Sequence, residues 1–104
     1  MIPRKTIEEL ISKHSLLEKD LSSANIDKKL FAEKSKEYSE INEIITDAKK
    51  YLSFEKDKIE LEKILKDKDS DKEFLKMAEI ELNDLETQYK KNEKKLKLFL
   101  LPKD

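Results

Sequence analysis

Apolar positions along this chain recur in steps of three and four within three stretches. In residues 27–67, Phe31, Tyr38, Ile41, Ile45, Ala48, Leu52 and Ile59 are separated by seven, three, four, three, four and seven positions. Such steps place side chains on one face of an α-helix. Neither proline nor glycine interrupts the stretch. It therefore reads as one long helix of about 60 Å, at 1.5 Å per residue. Residues 6–23 carry a second stripe, Ile7, Leu10, His14, Leu17 and Leu21, which Ala24 continues just beyond the helix. Residues 71–101 carry a third: Leu75, Ala78, Leu82, Leu85, Tyr89, Asn92, Leu96 and Phe99. Stripes this narrow are coiled-coil seams rather than broad globular faces.

Helix ends are marked by polar residues. Thr6-Ile7-Glu8-Glu9 and Ser70-Asp71-Lys72-Glu73 both fit the capping box, in which the hydroxyl accepts from the backbone N–H three residues on. Asn25 or Asp27 is the expected N-cap of the second helix. The connections Ser22-Ser23-Ala24-Asn25-Ile26-Asp27 and Asp67-Lys68-Asp69-Ser70-Asp71 are short, so consecutive helices are expected to be antiparallel neighbours. Pro102 stops the third helix at Leu101. Around Tyr51-Leu52-Ser53-Phe54 the stripe shifts phase, which a change of packing partner along an unbroken helix explains.

These elements predict an all-α chain, an antiparallel three-helix arrangement with a long central helix. The third helix should reach back along the second to about Tyr38. All three would then overlap only around 38–48, leaving 59–75 as a bare two-helix hairpin. Leu98-Phe99-Leu100-Leu101 is apolar on all sides and should be covered, by the other helices or by further chain.

Composition supports this architecture. Charged residues are 45% of the 104, against roughly 25% in an average soluble protein. There is no glycine, which argues for few turns and long helices. With 23 basic and 24 acidic residues, the net charge of −1 gives no strong attraction to nucleic acid or anionic membrane. No apolar run approaches the roughly 20 residues of a membrane span. The N-terminus lacks the apolar core of an export signal, so a cytoplasmic location is the default expectation.

Candidate chemistry is sparse. One histidine and no cysteine exclude the common nucleophile–base pairs. His14 has no second histidine or cysteine to complete a metal site, so it reads as a seam residue packed among leucines. Asn92 is a polar intruder in the third seam, suited to fixing register. Lys90, Lys91, Lys94, Lys95 and Lys97 follow Glu79, Glu81, Asp84 and Glu86, which complements the helix dipole and reads as a solvated face. No catalytic, cofactor-binding or metal-ligating residue is assigned, and an enzyme active site is not expected.

Two segments carry a resemblance. Leu98-Phe99-Leu100-Leu101-Pro102-Lys103-Asp104, after a lysine- and glutamate-rich helix, resembles the end of the N-terminal domain of bacterial class I peptide chain release factors, of the type that reads UAA and UAG. Phe31-Ala32-Glu33-Lys34-Ser35-Lys36-Glu37-Tyr38 is similar to that family's pattern at the start of its long second helix. The resemblance implies a non-catalytic, ribosome-facing domain of a longer factor. Its implied partners are the stalk base of the large ribosomal subunit and the GTPase release factor. The family's Gly-Gly-Gln motif for peptidyl-tRNA hydrolysis is absent here, as is all glycine. Direct sequence-specific nucleic-acid binding by these residues is not expected. The alternative is a stand-alone coiled-coil adaptor or dimerisation module, which the narrow seams would suit. A transfer-RNA-binding arm would call for a more basic hairpin tip than 67–71.

Overall fold

A computed structural model describes residues 1–102. Among these residues the fold is all-α, with α1 at Arg4–Leu21, α2 at Lys28–Asn42, α3 at Ile45–Lys66 and α4 at Lys72–Leu100. The molecule measures 60 × 33 × 20 Å, and its radius of gyration is 18.4 Å. A compact domain of this length would have about 13 Å. Every described residue has negative φ, so the turns are built without any position that needs glycine.

The three stripes lie where their spacing puts them. α1 packs against α2 and α3, while α3 and α4 form a long hairpin. One core joins Ile2, Ile7, Leu10 and Leu17 to Ile41, Ile44, Ala48 and Tyr51, and Leu96 of α4 closes it. Tyr38, Leu52, Tyr89 and Phe99 pack around its edge. The core thus sits at the expected overlap near 38–48. Phe31 and Ile59, at the ends of the central stripe, are instead exposed; α4 runs beside α3 at the level of Ile59 but leaves that side chain on the outer face.

The central stretch is two helices rather than one. It breaks at Glu43–Ile44, where Ile44 has φ −115° and ψ 3°. The Ile44 N–H turns back to the Ile41 carbonyl at 3.0 Å, three residues away instead of four. The break follows Asn42, whose side chain is held by α1, and it precedes the β-branched run Ile44-Ile45-Thr46. Such residues are poor helix formers. Neither proline nor glycine is needed: α1 lies against both arms and fixes the bend. Through Ser53 the helix is unbroken, and the Ser53 hydroxyl bonds the Lys50 carbonyl at 3.2 Å.

The bend also changes the reach of α4. It pairs with α3 and makes no close backbone approach to α2, so it does not return to Tyr38. α4 has 29 residues and α3 has 22. Its last turns therefore overrun the break. Leu98 and Leu101 are 62% and 60% exposed there, while Phe99 packs on the core. The apolar end is covered on one side only.

Neither expected capping box forms. α1 starts two residues before Thr6, behind Pro3, and the Thr6 N–H bonds the Pro3 carbonyl at 3.1 Å. Pro3 has the φ of −57° that its ring enforces, and Ile2 beside it is buried, so the chain enters the helix early. α4 starts after Asp71, and Ser70 lies outside it, with its N–H on the Asp67 carbonyl at 3.3 Å. Asp27 does occupy the N-cap position of α2, without a side-chain capping bond.

Stability should follow this distribution of burial. Leu96→Ala, which empties a fully buried position, is expected to cost about 2–5 kcal/mol. Ile80→Ala, on the half-exposed hairpin, should fall within roughly 0.5 kcal/mol of the parent. Urea unfolding followed by circular dichroism at 222 nm separates the two; equal midpoints for both variants would contradict the placement of the core.

Candidate functional site

Among the described residues, no group of three or more His, Cys, Asp or Glu side chains is disposed to hold a metal ion. No described helix is long and apolar enough to cross a membrane. Three side-chain clusters organise the contacts between the helices.

The first cluster centres on Tyr51. Its hydroxyl accepts from the Ile2 N–H at 3.0 Å and from the Tyr89 hydroxyl at 3.1 Å. It donates to Glu93 Oε2 at 2.9 Å. One donor and both lone pairs are thus used. Tyr89 stacks on Tyr51 at 4.7 Å and on Phe54 at 4.0 Å between ring centroids, so α4 is keyed into α3 by aromatic faces. Burial, with the Tyr89 bond next in weight, raises the Tyr51 phenol well above its ordinary range. Glu93 moves the other way: the Tyr51 hydroxyl lowers its carboxyl, and Lys97, at 3.4 Å, adds to this. The terminal amine of Met1 lies 3.9 Å from the same carboxylate. Tyr51 is off the apolar stripe, and the sequence signals it only as one more aromatic near the phase shift.

The second cluster is His14 with Tyr38 and Asn42. His14 is 8% exposed, its ring stacks on Tyr38 at 4.7 Å, and its Nε2–H donates to Asn42 Oδ1 at 2.9 Å. It is a packed seam residue with a neighbour for its nitrogen. Its partner stands at the last position of α2, so the bond holds the end of that helix against α1. Lys13–Glu37 and Lys34–Asp20, the latter at 2.6 Å, tie the outer faces of α1 and α2. Such exposed pairs contribute little to stability.

The third cluster is the trough between α3 and α4, with a volume of about 600 Å³. Phe54, Leu61, Ile64, Leu85 and Tyr89 contribute its apolar lining, and Asn92, 4% exposed, lies at its inner end. Asn92 was expected in the seam, and it is there. The lysines at 90, 91, 94, 95 and 97 are exposed along the second half of α4, where Lys95 lies 3.9 Å from Asp47.

The comparisons with known proteins agree with the two-segment resemblance. Residues 10–104 match the PCRF domain. The chain belongs to the PCRF domain family. The peptide chain release factor 1 of Pelagibacter ubique is 68% identical to it over 104 residues, all of this chain and 29% of the relative. That of Ehrlichia canis is 37% identical over 102 residues, 94% of this chain and 28% of the relative. That of the Wolbachia pipientis strain from Culex pipiens is 39% identical over 102 residues, with the same coverage. This PCRF domain chain thus spans under a third of the length of these curated relatives. No solved structure matches it. The stand-alone adaptor reading gains no support from these matches.

The Tyr51–Glu93 bond has an expected acid signature. A carboxyl with a lowered folded-state pKa contributes stability that is present above its unfolded value, here 4.5, and lost as pH falls through the folded value. Glu93→Gln should therefore flatten the loss of stability below pH 4.5. Denaturant midpoints from pH 3 to 8 measure this; a parent-like acid limb in the variant would mean that the bond carries no linkage. Tyr51→Phe removes the acceptor of the Ile2 N–H and of the Tyr89 hydroxyl, while Glu93 keeps Lys97, for an expected cost of about 1–3 kcal/mol at neutral pH.

Proposed function

We propose that this chain is the helical, non-catalytic domain of a factor that terminates translation at UAA and UAG codons. The observation that carries this reading is the 68% identity to a peptide chain release factor 1, sustained over the whole chain. The shape suits a lever: a packed base of three elements and a hairpin projecting from it. No group of these residues would perform peptidyl-tRNA hydrolysis or read a codon. Both tasks fall to other parts of the longer factor, which acts in the cytoplasm.

On this reading the domain meets the stalk base of the large ribosomal subunit and influences recycling by the GTPase release factor. The exposed lysines of α4 and the exposed apolar residues of the hairpin give it surfaces for such contacts. A rigid aromatic lock between α3 and α4 would keep the hairpin direction fixed while the base is anchored elsewhere.

The test uses the full-length protein with ribosomes stalled on each stop codon and carrying labelled peptidyl-tRNA. Release at UAA and UAG, with little at UGA, is the expected result. Equal release at UGA, or none at any stop codon, would overturn it. Chemical footprinting of the same complexes should show protection at the stalk base; an unprotected stalk base would remove that contact while leaving termination intact.

A further inference from the structure

We infer that the trough between α3 and α4 is a docking site for a basic amphipathic helix of a second protein. This goes beyond the termination reading and does not depend on it. The trough runs from Lys50 and Asn92 at its inner end to Ile64 and Glu81 toward the hairpin tip. Residues 50–64 of α3 make it about 20 Å long at 1.5 Å per residue, or four helical turns.

Its chemistry is sorted by depth. The lining offers Leu61, Ile64, Leu85 and Tyr89, whose apolar surface stays partly open because two helices cannot close a seam on both sides, with the buried Phe54 at its floor. Its margins carry Asp57 and Glu60 from α3 and Glu81 and Asp84 from α4. Among the described residues, none of these four carboxylates has an ion-pair partner within 4.0 Å, although the chain holds 23 basic residues. Lys50 is the one basic residue lining the trough, and it stands at the far end from Glu81. An apolar strip between two acidic margins is the complement of a helix with a row of leucines flanked by lysine or arginine. The same margins would repel a phosphate backbone, which disfavours RNA as the occupant.

The shape also favours a helix. At the base of the molecule α1 already lies against α3, where it covers the core. Farther along, no third element covers the trough among the described residues. A volume of about 600 Å³ takes the side chains of one helical face while the partner backbone lies across the mouth. Asn92 adds a polar anchor. It is 4% exposed and lines the inner end of the trough.

The test measures binding of a fluorescein-labelled synthetic peptide of about 16 residues, four to five turns, to the full-length protein by fluorescence anisotropy. Its leucines are spaced by three and four, and lysines flank them. Saturable binding is expected, weakened about tenfold in the double variant Glu81→Lys with Asp84→Lys and unchanged in Glu9→Lys with Glu18→Lys on α1. The trough variant should in turn bind a peptide with glutamate in place of lysine. Circular dichroism confirms that each variant keeps its helices. Three results would overturn the proposal. One is a peptide of the same composition but scrambled spacing binding equally well. Another is equal loss of binding in the α1 variant. The third is a concentration-dependent dimer that the trough variant abolishes, which would make a second copy the occupant. Stop-codon release by the trough variant is read in parallel and should be unchanged, which separates this surface from termination itself.

Discussion

The hydroxyl of Tyr51 is the point on which the arrangement of this domain depends. It is buried, and a buried hydroxyl without partners would be costly. Its partners come from three places far apart in the chain: the Ile2 backbone, Tyr89 and Glu93. Satisfying one group therefore fixes the N-terminal segment, α3 and α4 relative to one another. The Tyr51, Tyr89 and Phe54 rings then set the register of the hairpin through their stacked faces. Ile2 is drawn into the core by the same contact, and this explains why α1 begins behind Pro3 rather than at Thr6.

From that anchor the molecule divides into a packed base and a thin extension. The base gathers almost all buried residues, and the His14–Asn42 bond secures the bend beside it. The hairpin beyond Phe54 has a half-buried seam and exposed apolar residues such as Phe74, Met77 and Ile80. Two helices side by side cannot exclude water from both faces of their contact, so that seam stays partly wet. Local openings should be more frequent there than in the base. For a domain proposed to work as a projecting lever, this places rigidity at the attachment and accessible surface along the arm.

The acidic trough and the basic second half of α4 arise from one cause. Charge along α4 is sorted to complement its dipole, with acids in the first half and lysines in the second. In an antiparallel hairpin the acidic half of α4 lies beside the later part of α3, where Asp57 and Glu60 already stand. A sequence pattern that reads locally as helix stabilisation thus becomes, once the helices pair, a surface with a defined sign.

Periodicity, composition and the lack of glycine determined that this chain is helical, that its third helix runs from near 71 to 101, and that the core gathers near 38–48. Each of these follows from local rules: side-chain spacing, backbone freedom and breaker residues. Two short segments, Phe31 to Tyr38 and Leu98 to Asp104, were enough to place the family. Only the tertiary structure decided the bend at Glu43–Ile44, the early start of α1 and the role of Tyr51. No proline or glycine marks the bend, and it exists because α1 packs on both arms and His14 holds Asn42. The capping boxes at Thr6 and Ser70 were locally sound, yet burial of Ile2 and the turn at 67–71 moved the helix starts. Contacts between residues distant in sequence outweigh a capping bond of about 1 kcal/mol, and a local pattern carries no trace of them.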